Sequence, residues 1–282
     1  MEYSFTTVWG QGWNLWKTSW LMLMCGVLII VAACIPVGLV LGVQNILGAA
    51  QLANKDSQAL AVATGGGVLL GGCFSFLYGI FVLLPLVCGL LWMGVRAARG
   101  QVPQLGDILR GYQRFPTILG TTVLLYIVAL IPLILAAAVL GAIAVFGIGI
   151  DQLKDGIQES DFDDVSRLAL ALGGLWAVIC YFVLVWIKIR LCFSLVVAID
   201  DSIPNRGPLG CIETSWRITR GKALSLFGLF FTIGLMVAVT IACCFLPSIV
   251  FGYPLGITMF GLAYDMLLRS DAKTNQTTPA AA

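Results

Sequence analysis

The stretch ALSLFGLFFTIGLMVAVTIACCFLPSIVFGYPLGITMFGLAY, residues 223–264, decides the fold. It contains no charged residue over 42 positions. A helix that crosses the hydrocarbon core of a bilayer needs about 20 predominantly apolar residues, so the stretch is long enough for two spans. Leu246-Pro247-Ser248 lies just past its middle and predicts the turn between them.

The remainder of the chain has the same character. Four further windows without charge are each long enough for a span: 18–54, 57–95, 115–150 and 168–187. We therefore expect an all-α integral membrane protein with six transmembrane helices. The predicted spans lie near 20–43, 66–95, 117–147, 168–190, 223–245 and 249–268. Residues 1–270 should form one membrane domain, and residues 271–282 a disordered polar tail.

Composition excludes several classes of function. The 282 residues are 60% hydrophobic and 11% charged, whereas a soluble domain carries about 25% charged residues. The net charge of +2 gives no electrostatic signature for a nucleic-acid partner. Histidine is absent, which removes histidine-based acid–base chemistry and imidazole metal sites. We expect no enzymatic activity, no cofactor and no metal site.

Basic residues predict the orientation, because Lys and Arg are retained in cytoplasmic loops. Six spans place both termini on the same side of the membrane. With the termini inside, 13 of the 16 basic residues are cytoplasmic, and only Lys55, Lys154 and Arg167 lie outside. Both termini are therefore predicted to be cytoplasmic.

Short amphipathic segments precede three of the spans. At 100° per residue, one arc of the N-terminal segment is apolar and aromatic, which predicts a helix lying in the headgroup plane. The arc contains Phe5, Val8, Trp9, Trp13, Trp16 and Trp20.

The two later segments repeat this pattern. In the loop 100–116, an apolar stripe of Leu105, Ile108, Leu109 and Tyr112 should lie opposite Asp107, Arg110 and Arg114. After Gly207-Pro208, one face should carry Ile212, Ser215, Trp216 and Thr219.

These segments predict three in-plane helices on the cytoplasmic side. Each precedes an outward and a return span, which suggests a three-fold pseudo-repeat of helical hairpins. The alternative is that any cytoplasmic loop carries an amphipathic lead-in. Together they would form a basic and aromatic collar that contacts anionic lipid or a protein partner. Its candidate residues are Trp13, Trp16, Arg110, Tyr112, Arg114, Trp216, Arg217, Arg220 and Lys222.

A second candidate site is an ion pair at membrane depth. Asp265 lies in the last turns of the sixth span, where a lone carboxylate is costly. Lys188 and Arg190 end the fourth span and are its expected partners. The alternative is that these two cations extend to the interface. Within the collar, Glu213 should pair with Arg217 one helical turn away.

Small residues four positions apart predict close helix packing. Three such pairs occur in the spans: Gly38 with Gly42, Gly67 with Gly71, and Gly252 with Gly256. They fit contacts within the chain as well as a dimer, so the oligomeric state stays open.

The segment Gly210-Cys211-Ile212-Glu213-Thr214-Ser215-Trp216-Arg217-Ile218-Thr219-Arg220-Gly221, followed by Leu226-Phe227, resembles a family of uncharacterised bacterial polytopic membrane proteins. Leu105–Phe115 and Pro254 with Ala263-Tyr264 are similar to that family too, so the likeness covers nearly the whole chain. The family includes the membrane domain that precedes some glycerophosphodiester phosphodiesterases. The resemblance implies six membrane helices and, for stand-alone members, no assigned activity.

Three functions remain open. The first is a non-enzymatic scaffold of a bacterial inner (cell) membrane that contacts lipids or docks a partner at its cytoplasmic face. The second is a permease for small molecules or lipids. The third is a membrane subunit of a separate lipid-degrading enzyme, because the phosphodiesterase chemistry itself requires histidines that this chain lacks.

The charge bias predicts the topology directly. A reporter fused after Ala282 should report the cytoplasm, whereas a reporter inserted near Ser160 should report the outside. The measurement is a pair of enzymatic reporters that are active on opposite sides of the membrane. Both positions reporting the same side would contradict the six-span arrangement.

Overall fold

The computed structural model describes residues 4–53, 58–151, 159–204, 207–243 and 245–277, and these residues form helices without any strand. A 3-10 helix covers Leu105–Leu109, and two π-helical segments cover Gly79–Leu83 and Ser248–Gly252. The α-helices are α1 (Phe5–Ala53), α2 (Gln58–Tyr78), α3 (Leu84–Ala98), α4 (Arg110–Gln113), α5 (Phe115–Asp151), α6 (Glu159–Leu191), α7 (Ser194–Ile199), α8 (Pro208–Ile218), α9 (Ala223–Cys243), α10 (Phe245–Pro247) and α11 (Tyr253–Thr277).

Six helical segments in the described part of the chain are long and apolar enough to cross a membrane, which confirms the predicted number of spans. Each overlaps one predicted span. The segments are Phe5–Ile46, Gly67–Ala98, Phe115–Ala142, Leu172–Ile199, Ala223–Ala242 and Ser248–Lys273.

The predicted separate helix before the first span is wrong. Helix α1 runs through 49 residues without interruption, a length of about 74 Å at 1.5 Å per residue. The prediction began the first span near residue 20, after Lys17, but a single lysine does not end a helix. Up to Val27 one side of α1 is buried, and from Leu28 to Ile46 it has no buried side chain.

The core lies at one end of the bundle. Helix α11 occupies its centre, and every residue from Pro254 to Leu267 except the half-buried Phe260 is buried. Helices α1 and α3 pack along α11, and α8 also contacts it. The same end carries Arg99, Asp200 and Asp265, and we call it the charged end.

The second span is broken by a π turn before it reaches the charged end. In Gly79–Leu83 the N–H of Leu84 donates to the carbonyl of Gly79, five residues earlier, and Pro85 follows. Proline has no N–H and crowds the preceding turn, and a wider π turn accommodates the interruption. The hydroxyl of Tyr112 donates to the carbonyl of Val82 over 3.3 Å.

The sixth span contains the same arrangement. In Ser248–Gly252 the N–H of Tyr253 donates to the carbonyl of Ser248, and Pro254 follows. Two of the three return spans therefore enter the charged end through a π turn and a proline. This likeness accords with the predicted three-fold pseudo-repeat, which stays a prediction for the whole chain.

Glycines allow the helices at the charged end to touch through their backbones. A Cβ atom on Gly261 would overlap the backbone of Gly94, and one on Gly89 would overlap the carbonyl of Ile108. A Cβ atom added to Gly38 or Gly42, which fit the small-residue spacing, would meet no neighbouring helix within 4 Å. In the other two pairs, Gly71, Gly252 and Gly256 do lie close to side chains of neighbouring helices.

In the loop segment 105–113 the apolar stripe is mostly exposed. Of its members Ile108 is buried, whereas Leu105, Leu109 and Tyr112 are exposed, and Asp107 on the opposite side is buried. The ion pair of Asp107 with Arg96 therefore determines which side faces the protein.

The predicted face of α8 is only partly buried. Ser215 and Thr219 are buried, whereas Trp216 is 42% exposed. The buried side of α8 also includes Cys211, Thr214 and Ile218. The in-plane placement of α8 and of segment 105–113 stays a prediction.

The predicted disordered tail begins too early. Helix α11 continues to Thr277, and Asp271 within it lies 3.1 Å from Nε of Arg217. This contact ties the polar extension to α8, so the composition of the tail did not indicate its structure. Residues 278–282 lie outside the described part of the chain.

Contact between Gly94 and Gly261 predicts a large effect from a single methyl group. Gly261→Ala should lower the stability by about 1–3 kcal/mol, because α3 and α11 must separate. The measurement is the melting temperature of the detergent-solubilised protein. Gly228→Ala is the matched control, since Gly228 also lies in a helix and a Cβ atom added there meets nothing within 4 Å. Alanine there should leave the melting temperature equal or higher. Equal losses in both variants would contradict the close contact.

Candidate functional site

A buried ion pair joins the ends of the return spans. Arg99 directly follows α3 and Asp200 directly follows α7. Nη1 of Arg99 lies 3.2 Å from Oδ1 of Asp200, and Nη2 lies 2.5 Å from Oδ2. The hydroxyl of Tyr264 in α11 donates to Oδ2 over 2.9 Å. The bidentate geometry and the third donor compensate a carboxylate that has no exposed surface.

The surroundings of Asp200 stabilise its charged form. Ser202 donates to Oδ1 from its backbone N–H at 3.0 Å and from its hydroxyl at 2.8 Å. Burial alone would raise the pKa of Asp200, but the hydrogen bonds from Arg99 and Ser202 outweigh burial and hold this pKa below its ordinary value of 3.8. In the same pair, burial favours the neutral form of Arg99, yet Asp200 raises the pKa of the guanidinium overall.

The predicted partners of Asp265 are wrong. Its Oδ1 lies 3.3 Å from Nε of Arg99, and its Oδ2 lies 2.8 Å from Nε of Arg269. Neither Lys188 nor Arg190 contacts it. Arg269 is one helical turn further along α11, so the sequence spacing alone predicts that it pairs with Asp265. Arg99, by contrast, reaches Asp265 only because α3 and α11 pack together.

Arg190 has an aromatic environment instead. Its guanidinium lies 5.6 Å from the ring centre of Trp186 and 4.7 Å from that of Trp216. Nη1 donates to the carbonyl of Trp216 over 3.2 Å. The carbonyl of Arg190 accepts hydrogen bonds from the hydroxyls of Ser215 at 2.9 Å and Thr219 at 3.3 Å. The end of α6 is thereby held against α8.

A second buried ion pair lies beside the first. Nη1 of Arg96 lies 2.6 Å from Oδ1 and 2.7 Å from Oδ2 of Asp107. Asp107 also accepts from the backbone N–H of Gln104 over 2.8 Å, which caps the 3-10 helix. This pair fixes the loop after α3 against the helix that precedes it.

Two basic residues of the predicted collar share one carboxylate. Arg110 and Arg114 both pair with Asp201, and Nη2 of Arg114 lies 3.2 Å from its Oδ1. The guanidinium of Arg110 also lies 4.7 Å from the ring centre of Trp92. These cations are therefore engaged within the protein.

The aromatic members of the collar separate into two groups. Trp13 is 40% exposed, with Nζ of Lys17 5.8 Å from its ring centre. Trp16, by contrast, is buried and its ring lies 5.0 Å from that of Phe251, so it belongs to the core. The hydroxyl of Tyr112 donates to the carbonyl of Val82 in the π segment, and the ring of Trp216 lies against the guanidinium of Arg190.

The last three collar residues lie on or just after α8. Arg217 pairs with Asp271 rather than with the predicted Glu213. Arg220 and Lys222 lie in the turn between α8 and α9, where the described part of the chain offers neither of them a carboxylate. The collar is therefore not one continuous surface.

Sequence reasoning missed Arg96, Arg99, Asp107 and Asp200. A signal was available in the charges near the ends of the return spans: Arg96 and Arg99 after the second span, Asp200 ten positions after Arg190, and Asp265 near the end of the sixth. Compared across the pseudo-repeat, complementary charges at equivalent ends predict pairing.

The charged end offers ion pairs, aromatic faces and hydroxyls. Within the described residues there is no group of three or more histidine, cysteine or carboxylate side chains that could hold a metal ion. No family model, no curated protein and no solved structure matches the chain. The six apolar helices define it as a multi-pass membrane protein.

Asp200 is expected to be essential for stability, whereas its neighbour Asp201 is not. Asp200→Asn leaves the buried Arg99 without its main partner and should cost about 3–5 kcal/mol. Asp201 is half exposed, and Asp201→Asn should cost about 0–1 kcal/mol. Melting temperatures of the two variants and the wild type in one detergent test this difference, and similar losses would contradict it.

The same three proteins report the pH dependence. The pKa of Asp200 is lower in the folded state, so its contribution is fully present above the ordinary pKa of 3.8 and is lost as the pH falls through the folded value. The melting-temperature gap between wild type and Asp200→Asn should therefore close below about pH 4. A gap that persists at lower pH would mean that the ionised carboxylate is not the stabilising form.

Proposed function

We propose that the chain is a non-enzymatic scaffold of a bacterial inner membrane, with cytoplasmic termini, that binds anionic phospholipid headgroups at its charged end. One observation carries the proposal. Four basic residues lie in the last turn of α6 and in the turn before α9, and the described structure pairs none of them with a carboxylate. We call Lys188, Arg190, Arg220 and Lys222 the basic cluster.

Hydrogen bonds hold the two halves of this cluster together. The hydroxyls of Ser215 and Thr219 donate to the carbonyl of Arg190, and the N–H of Lys222 donates to the carbonyl of Thr219 over 3.1 Å. The cations are thereby fixed on a rigid frame, and no acidic side chain neutralises them. A phosphate group is the natural complement of such an arrangement.

The surroundings favour a headgroup at the membrane surface as the ligand. Trp186 and Trp216 are both nearly half exposed beside Arg190, and indole rings prefer the headgroup region. Helix α9 begins at Ala223, directly after Lys222, and the backbone N–H groups at a helix start attract anions.

The packing of the charged end supports a scaffold over a permease. Its centre is filled by α11, whose side chains are buried on all sides from Gly261 to Leu267. The permease and the enzyme-subunit hypotheses stay predictions, as does the relationship to the phosphodiesterase membrane domains.

Neutralising the unpaired cations should release anionic lipid. Each basic residue near an anionic surface contributes about 1 kcal/mol, so Arg220→Gln with Lys222→Gln should weaken binding about tenfold to thirtyfold. The measurement is native mass spectrometry of retained phosphatidylglycerol and cardiolipin. The spans are unchanged, so membrane insertion should be normal.

A matched control changes two charges without changing the net charge. Arg217→Gln with Asp271→Asn removes the ion pair between α8 and α11. This double variant should retain as much anionic lipid as the wild type. Equal retention by the variant of Arg220 and Lys222 would show that these cations serve only the orientation of the chain.

A further inference from the structure

We propose that a crevice between the second and third spans binds a membrane lipid through the ester carbonyl of an acyl chain. The crevice encloses about 650 Å³, within the range of about 300–1,000 Å³ that is typical of ligand pockets. Ser75 and Leu84 lie on its α2–α3 wall, and Thr122 and Tyr126 lie on its α5 wall.

The crevice exists because its walls do not pack against each other along their length. Helix α5 packs along α6 and against α7 and α8, which leaves its other side facing α2 and the π segment. The walls meet where the rings of Phe81 and Phe115 are 5.5 Å apart. Close to it, the Tyr112 hydroxyl binds the carbonyl of Val82.

Two hydroxyl groups in the lining have no partner. Oγ of Ser75 and Oγ1 of Thr122 are buried and form no hydrogen bond within the described structure. Other threonines in the spans donate to the preceding turn, as Thr121 does to Thr117 and Thr232 does to Gly228, each over 2.8 Å. A buried hydroxyl without a partner costs about 1–3 kcal/mol, so an acceptor supplied by a ligand stabilises the site.

The position of the crevice identifies the occupant. Both walls belong to membrane-spanning segments, and the rim residues Phe76, Val123 and Ile127 are exposed, so the crevice opens sideways into lipid. No charged residue lines it, which argues against a phosphate group inside. The ester carbonyl is the acceptor that a bilayer lipid carries next to its apolar chain, and it matches two hydroxyl donors in an apolar wall.

This site is separate from the basic cluster. The crevice lies on the side of α5 that faces α2 and α3, whereas the basic cluster joins α6 to α9. Failure of the headgroup proposal therefore leaves the crevice untouched, and the reverse also holds.

Lipids that differ only in the presence of the ester carbonyl test the proposed hydrogen bonds from Ser75 and Thr122. The purified full-length protein is offered diester phosphatidylcholine and diether phosphatidylcholine of equal chain length, and retained lipid is counted by native mass spectrometry. The wild type should prefer the diester lipid about fivefold. Ser75→Ala with Thr122→Ala should lose this preference, whereas Thr232→Ala, whose hydroxyl is already bonded, should keep it. Equal retention of both lipids by the wild type would overturn the proposal.

A bulky side chain that fills the crevice tests whether the lipid binds there. A diester phosphatidylcholine with a photoreactive acyl chain should label residues 75–87 and 119–127 in reconstituted vesicles. Thr122→Trp should reduce this labelling at least fivefold, whereas Leu135→Trp, at an exposed position on the other side of α5, should not. If Thr122→Trp does not fold, Val123→Trp fills the crevice from its rim. Uniform labelling of all lipid-facing segments, unchanged by these variants, would overturn the proposal.

Discussion

The structure depends on a single arginine that two buried carboxylates share. Arg99 contacts Asp200 and Asp265 at the same time, and these three residues belong to three different return spans. Each carboxylate would be costly in this position without its donor. The helices can therefore reach the charged end only in a mutual register that brings the three residues together. The contact between α3 and α11 at Gly94 and Gly261 belongs to the same register. The close approach of these two helices brings Arg99, which directly follows α3, to Asp265 in α11.

Fold class and span number were predictable because they follow from bulk composition. Charge-free windows measure the length of apolar chain, and length alone decides whether a helix can cross a bilayer. The division of residues 223–264 into two spans was also predictable from their length, although Leu246-Pro247-Ser248, where the turn was predicted, is helical. None of these inferences requires knowledge of which helix touches which.

The site residues were harder to predict, because helical periodicity shows which residues share a face but not whether protein or lipid covers that face. In a membrane protein, lipid covers apolar faces equally well, so an apolar stripe does not identify the buried side. Leu105 and Leu109 are exposed while Asp107 is buried beside Arg96. Trp16 lies in the core for the converse reason, since Phe251 comes from a helix more than 200 positions later. The pairing of Asp265 failed in the same manner, because its partner was sought by depth rather than by contact.

The internal ion pairs also show that the basic residues at the charged end can affect membrane topology and anionic lipid differently. The orientation rule counts Lys and Arg residues whether or not they are paired, so all 13 predicted inner cations contribute to topology. A phosphate headgroup responds only to the net field within about a Debye length. Arg96, Arg99, Arg217 and Arg269 each have a carboxylate partner in the fold, and Arg110 and Arg114 share one. Most of the described inner cations that have no carboxylate partner belong to the basic cluster. The charged end therefore contains arginines that hold the helices together through ion pairs, and it also contains the basic cluster, for which the described structure supplies no carboxylate.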